Sequence, residues 1–203
     1  MLLKETQCTL GVTLYVKGMK ALFFVILMIY SGISLIGQDH FLVELEKFTP
    51  PEKDVIRSLK GFPAENFLAK DLDGEEHFLG SYKDQAKILW FWSKDDPISM
   101  KWLPAINLLQ LKYLDHLKVF GFGKEDKIEL TQAISNEAVI FPNFPNGAVF
   151  GEAAYGGDLG YGRMFFIDRD GIIKEVLPRS FFTSHNVNDA TPIVEKIIEK
   201  IAY

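Results

Sequence analysis

Apolar runs and apolar periodicities divide the chain into alternating strands and helices. Ile88-Leu89-Trp90-Phe91-Trp92 is a continuous apolar run of strand length, followed by the polar turn Ser93-Lys94-Asp95-Asp96 and then Pro97. An apolar run, an aspartate cap and a proline in the first helical turn predict a buried strand that passes directly into a helix. From Met100 to Leu117 the residues Leu103, Ile106, Leu109 or Gln110, Tyr113 or Leu114, and Leu117 recur at helical spacing, so a helix is expected there, kinked at Pro104. Val119 to Gly123 reads as the next strand, Glu125 to Asn136 as a second helix, and Val139 to Gly147 as a short strand with a turn-rich loop.

The two ends of this region carry hairpin signals. Phe62 to Leu72 and Glu75 to Leu79 flank Asp73-Gly74, whose residues tolerate positive φ. Arg163 to Asp168 and Ile172 to Leu177 flank Arg169-Asp170-Gly171 in the same way. Before the first hairpin, Thr49-Pro50-Pro51-Glu52 has the form of a capping box opening a short helix that stops at Gly61. After the second, Thr191-Pro192 is expected to cap a last helix with Ile193, Val194, Ile197, Ile198 and Ile201 on one face. The order β-hairpin, β-α-β-α, loop, β-hairpin, α implies an α/β fold: a central mixed sheet flanked by helices, with an N-terminal β-hairpin.

Composition changes this picture little. The 203 residues suffice for one domain plus an extension, and 17 phenylalanines point to a well-filled core. A formal charge of −5 argues against a nucleic-acid surface. The N-terminus adds more. Met19-Lys20 precedes an apolar run from Ala21 to Ile36, and small and polar residues follow, the layout of a secretory signal peptide. The run is shorter than the roughly 20 residues that span a bilayer. The expectation is an exported protein, periplasmic or secreted, with cleavage after Gly37; an uncleaved signal would be its one tie to a membrane. Gln38 stands where lipidation would need a cysteine. Met19 is an alternative start to Met1. The domains expected are thus 1–37, N-terminal segment and signal; 38–60, an extension with a short helix; and 61–203, the main domain.

Several phrases, in order and at matching spacing, resemble the thioredoxin-like superfamily, in particular the TlpA-type exported thiol-disulfide oxidoreductases and the neighbouring AhpC/TSA redoxins. They are Asp71-Leu72-Asp73-Gly74, Ile88 to Ser93, Leu103-Pro104-Ala105-Ile106, Phe141-Pro142, Ala154-Tyr155-Gly156 and Phe165 to Gly171. The resemblance implies a thioredoxin-like fold. It also implies where a redox site would lie: a W-C-P-x-C motif beginning its cysteine pair eight residues before the helix proline, and a cis-proline six residues before the Asp of the I-D-R-D-G phrase. Those positions are Asp96, Ser99 and Gly162. Thiol–disulfide exchange needs a thiolate to attack and a second thiol to resolve the mixed disulfide. A carboxylate and a serine hydroxyl do neither. The single cysteine, Cys8, lies upstream of the expected cleavage. Redox chemistry at this site is therefore expected to be lost, with no cofactor and no metal.

Asp96 reads best as a helix cap, filling the anion site that stabilises a thiolate in active relatives. Asp95-Asp96 as an acid/base or metal pair is weaker, because adjacent side chains diverge. Asp168-Arg169-Asp170-Gly171 begins like a calcium loop but lacks its downstream Glu. His40, His77, His116 and His185 have no ligand spacing, and Gly156 to Gly162 precedes a strand, not the helix that a phosphate loop requires. The first expectation is a binding or accessory module whose former active-site groove, with Asp95, Pro97, Trp102 and Tyr161, takes a peptide or protein partner. The alternatives are a cysteine-independent enzyme using Asp95, Asp96 or Ser99, and oxidoreductase activity by an unrecognised route.

Overall fold

The computed structural model describes residues 43–156 and 160–203. The signal segment, Cys8, His40 and Gly157-Asp158-Leu159 lie outside the described residues.

A 3-10 turn at Leu45–Lys47 leads into α1 (Pro50–Leu59), whose capping box forms as the sequence predicts: the Thr49 backbone N–H donates to Glu52 Oε2 at 2.9 Å. The hairpin follows as β1 (Leu68–Lys70) and β2 (Glu76–Phe78). Its turn is built by Asp71, whose Oδ1 accepts from the Asp73 and Glu75 backbones, while Gly74 takes φ +88°. Both strands are shorter than their apolar stretches, because this turn recruits Asp71 to Glu75.

The main sheet contains β3 (Ala86–Trp92), β4 (Leu117–Gly123), β5 (Asn143–Phe144), β6 (Arg163–Ile167) and β7 (Ile173–Leu177). Among the described residues its order is β5-β4-β3-β6-β7. β3 runs parallel to β4 and antiparallel to β6, which pairs antiparallel with β7. β3 is buried along its whole length, as a central strand covered on both faces must be. Around it lie α2 (Pro97–Lys112), α3 (Lys127–Ile134), α4 (Gly147–Ala154), α5 (Arg179–Ser184) and α6 (Val187–Ala202).

Successive side chains of β3 point to opposite faces, which separates two aromatic layers. Trp90 meets Phe182 of α5 edge-on at 5.4 Å, and Trp102 of α2 meets the same ring at 4.9 Å. On the other face Phe91 stacks on Phe122 at 5.0 Å, and Phe67 ties the hairpin side to Phe120, Phe122, Phe144 and Phe150 at 5.1–5.6 Å.

Both sides of the sheet are partly covered. Along β7, Gly61 N donates to Ile173 O, Ile173 N to Phe62 O and Ala64 N to Gly171 O. Along β4, β5 reaches only Gly121 and Phe122. Below it, the Gln110 side chain acts as a substitute strand: its Nε2 donates to Leu117 O at 2.9 Å and its Oε1 accepts from Val119 N at 2.7 Å. Gly121 N donates to Pro142 on the same side, as the alternation of parallel pairing requires.

The structure corrects several element boundaries. Leu117 begins β4 and does not end the preceding helix, and α2 continues through Pro104 from Pro97. The last helix starts at Val187, capped by Asn186, which accepts from Asp189 N at 3.0 Å; Thr191 and Pro192 lie inside it. So early in a helix, Pro192 removes one backbone hydrogen bond and the apolar face outweighs it. The expected strand at Val139 is irregular chain, with pairing displaced to Asn143–Phe144. The helices α4 and α5 fall in stretches for which the sequence predicts no helix. Two glycines in α4 hide its pattern; Gly147 is required because a Cβ there would stand 2.8 Å from the Phe122 backbone.

Candidate functional site: the junction of the central strand and its helix

At the C-terminal end of β3 the chain turns sharply under the control of a buried carboxylate. Glu125 Oε1 accepts from Ser93 Oγ at 2.7 Å and from Lys94 N at 2.8 Å, and Ser93 Oγ in turn accepts from Asp95 N at 3.2 Å. This network sets the angle at which the chain enters α2. Pro97 supplies the fixed φ of the first helical residue.

Asp96 is the N-cap. Its Oδ2 accepts from Ser99 N at 3.0 Å and from Ser99 Oγ at 2.7 Å. Its Oδ1 accepts from Arg179 Nη1 at 2.5 Å, and the same nitrogen lies 3.4 Å from Tyr161 O. Asp96 is 7% exposed, Ser99 is fully buried, and the Arg179 side chain remains 40% exposed. The helix N-terminus is thus occupied by the protein's own carboxylate, which is neutralised from outside by a guanidinium. Every acceptor direction used at Asp96 is directed at a group within this joint.

Gly162 closes the third side. It takes φ +79°, its N–H donates to Phe91 O at 2.7 Å, and a Cβ there would sit 3.1 Å from Asp96 Oδ2 and 3.6 Å from Ser99 Oγ. The preceding peptide bond is trans, as are all those described. Gly162→Ala is expected to destabilise the protein by about 1–2 kcal/mol, from the left-handed conformation and the contact with Asp96. Chemical denaturation reads this directly; an unchanged midpoint would mean that the joint yields without cost.

The structure therefore brings Asp96, Ser99 and Gly162 together, and it adds Arg179, which no motif marks. Asp95 and Pro97 are exposed beside the joint. Tyr161 is half-buried, with Lys124 Nζ 5.7 Å from its ring centre, and burial pushes its phenol above the ordinary range. Trp102 departs from the expectation: at 1% exposure it packs on Phe182 and lines no surface groove. It reads as a rim aromatic in sequence because its place on the helix wheel cannot show that α5 covers it.

The histidines stand elsewhere. His77 bridges Asp71 Oδ2 and Tyr82 Oη at 2.9 and 2.8 Å, and His185 bonds the Phe181 carbonyl oxygen. Among the described residues no group of three or more His, Cys, Asp or Glu side chains is placed to hold a metal ion. The Asp168 turn closes through its own backbone, with Ile172 N donating to Asp168 Oδ1 at 2.8 Å and Gly171 at φ +83°.

No protein-family model matches the sequence, and no curated protein matches it. Solved structures do match in shape. A thiol:disulfide interchange protein of the thioredoxin family from Chlorobium tepidum superposes with a TM-score of 0.58 at 20% identity, covering 71% of this chain and 98% of that one. A thiol:disulfide interchange protein from Bacteroides sp. gives 0.54 at 17% identity, over 70% and 92%. The yeast mitochondrial 1-Cys peroxiredoxin gives 0.54 at 16% identity, over 70% and 78%. Likeness at such identities concerns the fold: the chain has a thioredoxin-like α/β fold and carries Asp96 and Ser99, and no cysteine pair, at the start of the helix that follows its central strand.

Proposed function

We propose that the protein is an exported thioredoxin-like accessory module in which the redox junction has become a closed structural joint. One observation carries this reading: Asp96 and Ser99 bond to each other and to Arg179 at the helix N-terminus, where sulfur chemistry would need an exposed thiolate. No cysteine occurs from residue 43 onward. The same burial weighs against an enzyme of another class using this pair. The Ser99 hydroxyl is inaccessible and donates to a carboxylate already held by an arginine, so neither group is presented to a substrate.

The surface left for a partner is the rim formed by Asp95, Pro97 and Tyr161, and a peptide or protein is its natural occupant. The membrane enters only through the N-terminal apolar run if that run is retained; among the described residues no helix is long and apolar enough to cross a bilayer.

The test of lost redox chemistry is insulin reduction by dithiothreitol with the full chain added. The expected rate equals that of buffer; clear acceleration would overturn the proposal. The rim is tested separately by a photo-crosslinker placed at position 95, with position 76 on the hairpin as the control. A specific adduct from position 95, lost in Tyr161→Ala, supports the partner surface. Identical labelling from both positions would remove it.

A further inference from the structure

At the opposite end of β3, roughly 16 Å from Trp92 at strand spacing, lies a cavity of about 420 Å³. Its charged lining has three cations and one acid: Lys87 is buried, whereas Lys83, Arg169 and Asp170 are exposed, and Asn66 adds an amide. Leu79 and Ile167 contribute apolar surface.

Lys87 is the anomaly. It sits in an otherwise apolar strand and is only 3% exposed. Its ammonium donates to the carbonyl oxygens of Asp168 and Arg169 at 3.3 and 3.4 Å, both long, and forms no ion pair among the described residues. The nearby Asp168 carboxylate is committed to Ile172 N and Lys174. A lysine has three N–H donors, so two carbonyl bonds leave one for the cavity it lines. Burying a charge without a counter-charge is costly, and proteins ordinarily pair such groups. Burial pulls the Lys87 ammonium below the usual lysine range, with Asp168, Asp170 and Asp84 opposing the shift from longer range.

We propose that this cavity binds a small organic anion, with a compact oxyanion head, carboxylate or phosphate, on Lys87 and an apolar body against Leu79 and Ile167. The anion supplies a counter-charge in direct contact with the ammonium, which Asp168, Asp170 and Asp84 provide only from longer range. Lys83 and Arg169, being exposed, draw it in by longer-range attraction that salt screens. The volume falls in the range of small-molecule sites, with apolar walls and few polar anchors. The strand pattern hides the site, because Lys87 reads as the polar margin of an apolar run.

The experiment is calorimetric titration of the full chain at low salt, with hexanoate and phenyl phosphate as separate probes. At least one is expected to bind saturably at a single site, and which one identifies the head group. Lys87→Met removes the charge while keeping a similar length and is expected to weaken binding tenfold or more without lowering the melting temperature. Lys83→Ala should weaken it less and reduce its salt dependence. No saturable binding of either probe up to about 10 mM, a concentration that exceeds even millimolar Kd values, would overturn the proposal, as would unchanged affinity in folded Lys87→Met. If that variant does not fold, the wild-type melting temperature decides: a probe that binds must raise it, and no rise with either probe overturns the site.

Discussion

Asp96→Ala is expected to lower the stability of the protein by about 3 kcal/mol. The cap itself contributes about 1 kcal/mol. That cap is the bond from the Ser99 N–H, and the larger part comes from the fully buried Ser99 hydroxyl, which loses its acceptor as well. Buried donors left unmade cost about 1–3 kcal/mol each, and the hydroxyl recovers some of this by rotating to another acceptor. Arg179 adds little, because an arginine 40% exposed regains water when its partner leaves. The expected order of damage is therefore Ala above Asn at position 96, since asparagine keeps a capping oxygen and loses only the ion pair. Arg179→Ala should cost about 1 kcal/mol or less. Urea denaturation with a constant m-value provides the comparison. If Arg179→Ala proves as damaging as Asp96→Ala, the ion pair and not the cap holds the joint.

Gln110→Ala should be comparably damaging, again by about 3 kcal/mol, although the residue touches no site. Its amide satisfies Leu117 O and Val119 N on the side of β4 where β5 is too short to reach. Removing it strands one backbone acceptor and one donor at roughly 1–3 kcal/mol each, less whatever hydration the new space allows. Gln110→Glu is the informative companion. It retains an acceptor for Val119 but turns a carboxylate oxygen toward the Leu117 carbonyl, so it too should destabilise. The opened edge is also a template for pairing with another chain, so concentration-dependent association is expected with Gln110→Ala. A loss below about 1 kcal/mol would mean that water replaces the amide there.

How much of this was legible in the sequence depended on whether the deciding interaction was local. The junction was. An apolar run, an aspartate and a proline within ten residues define β3, the cap and α2, and the resemblance placed Gly162 beside them. Arg179 was not legible, because its partner is 83 residues away and nothing in Pro178-Arg179-Ser180 signals a bond to a helix cap. Gln110 was open to the same failure. On the helix wheel it reads as a neighbour of Leu109 on the apolar face, and its role depends on how far β5 extends. Trp102 was misplaced for the converse reason: α5 covers it, and α5 has no periodic pattern long enough to announce a helix. Lys87 shows the limit most directly. Polar residues at strand margins are ordinary, and only the tertiary structure reveals that this one is enclosed.

The joint at Asp96 also determines what surroundings the molecule responds to. A disulfide at such a corner would couple the shape of the protein to the reducing power around it, since bond formation there follows electrochemical potential. Asp96, Ser99 and Arg179 close the same corner with oxygen and nitrogen alone. The described domain should therefore fold and hold this surface identically in oxidising and reducing media. Its sensitivity is transferred to dissolved ions, which screen the half-exposed Arg179 and loosen the outer contact while leaving the buried Ser99 bonds in place.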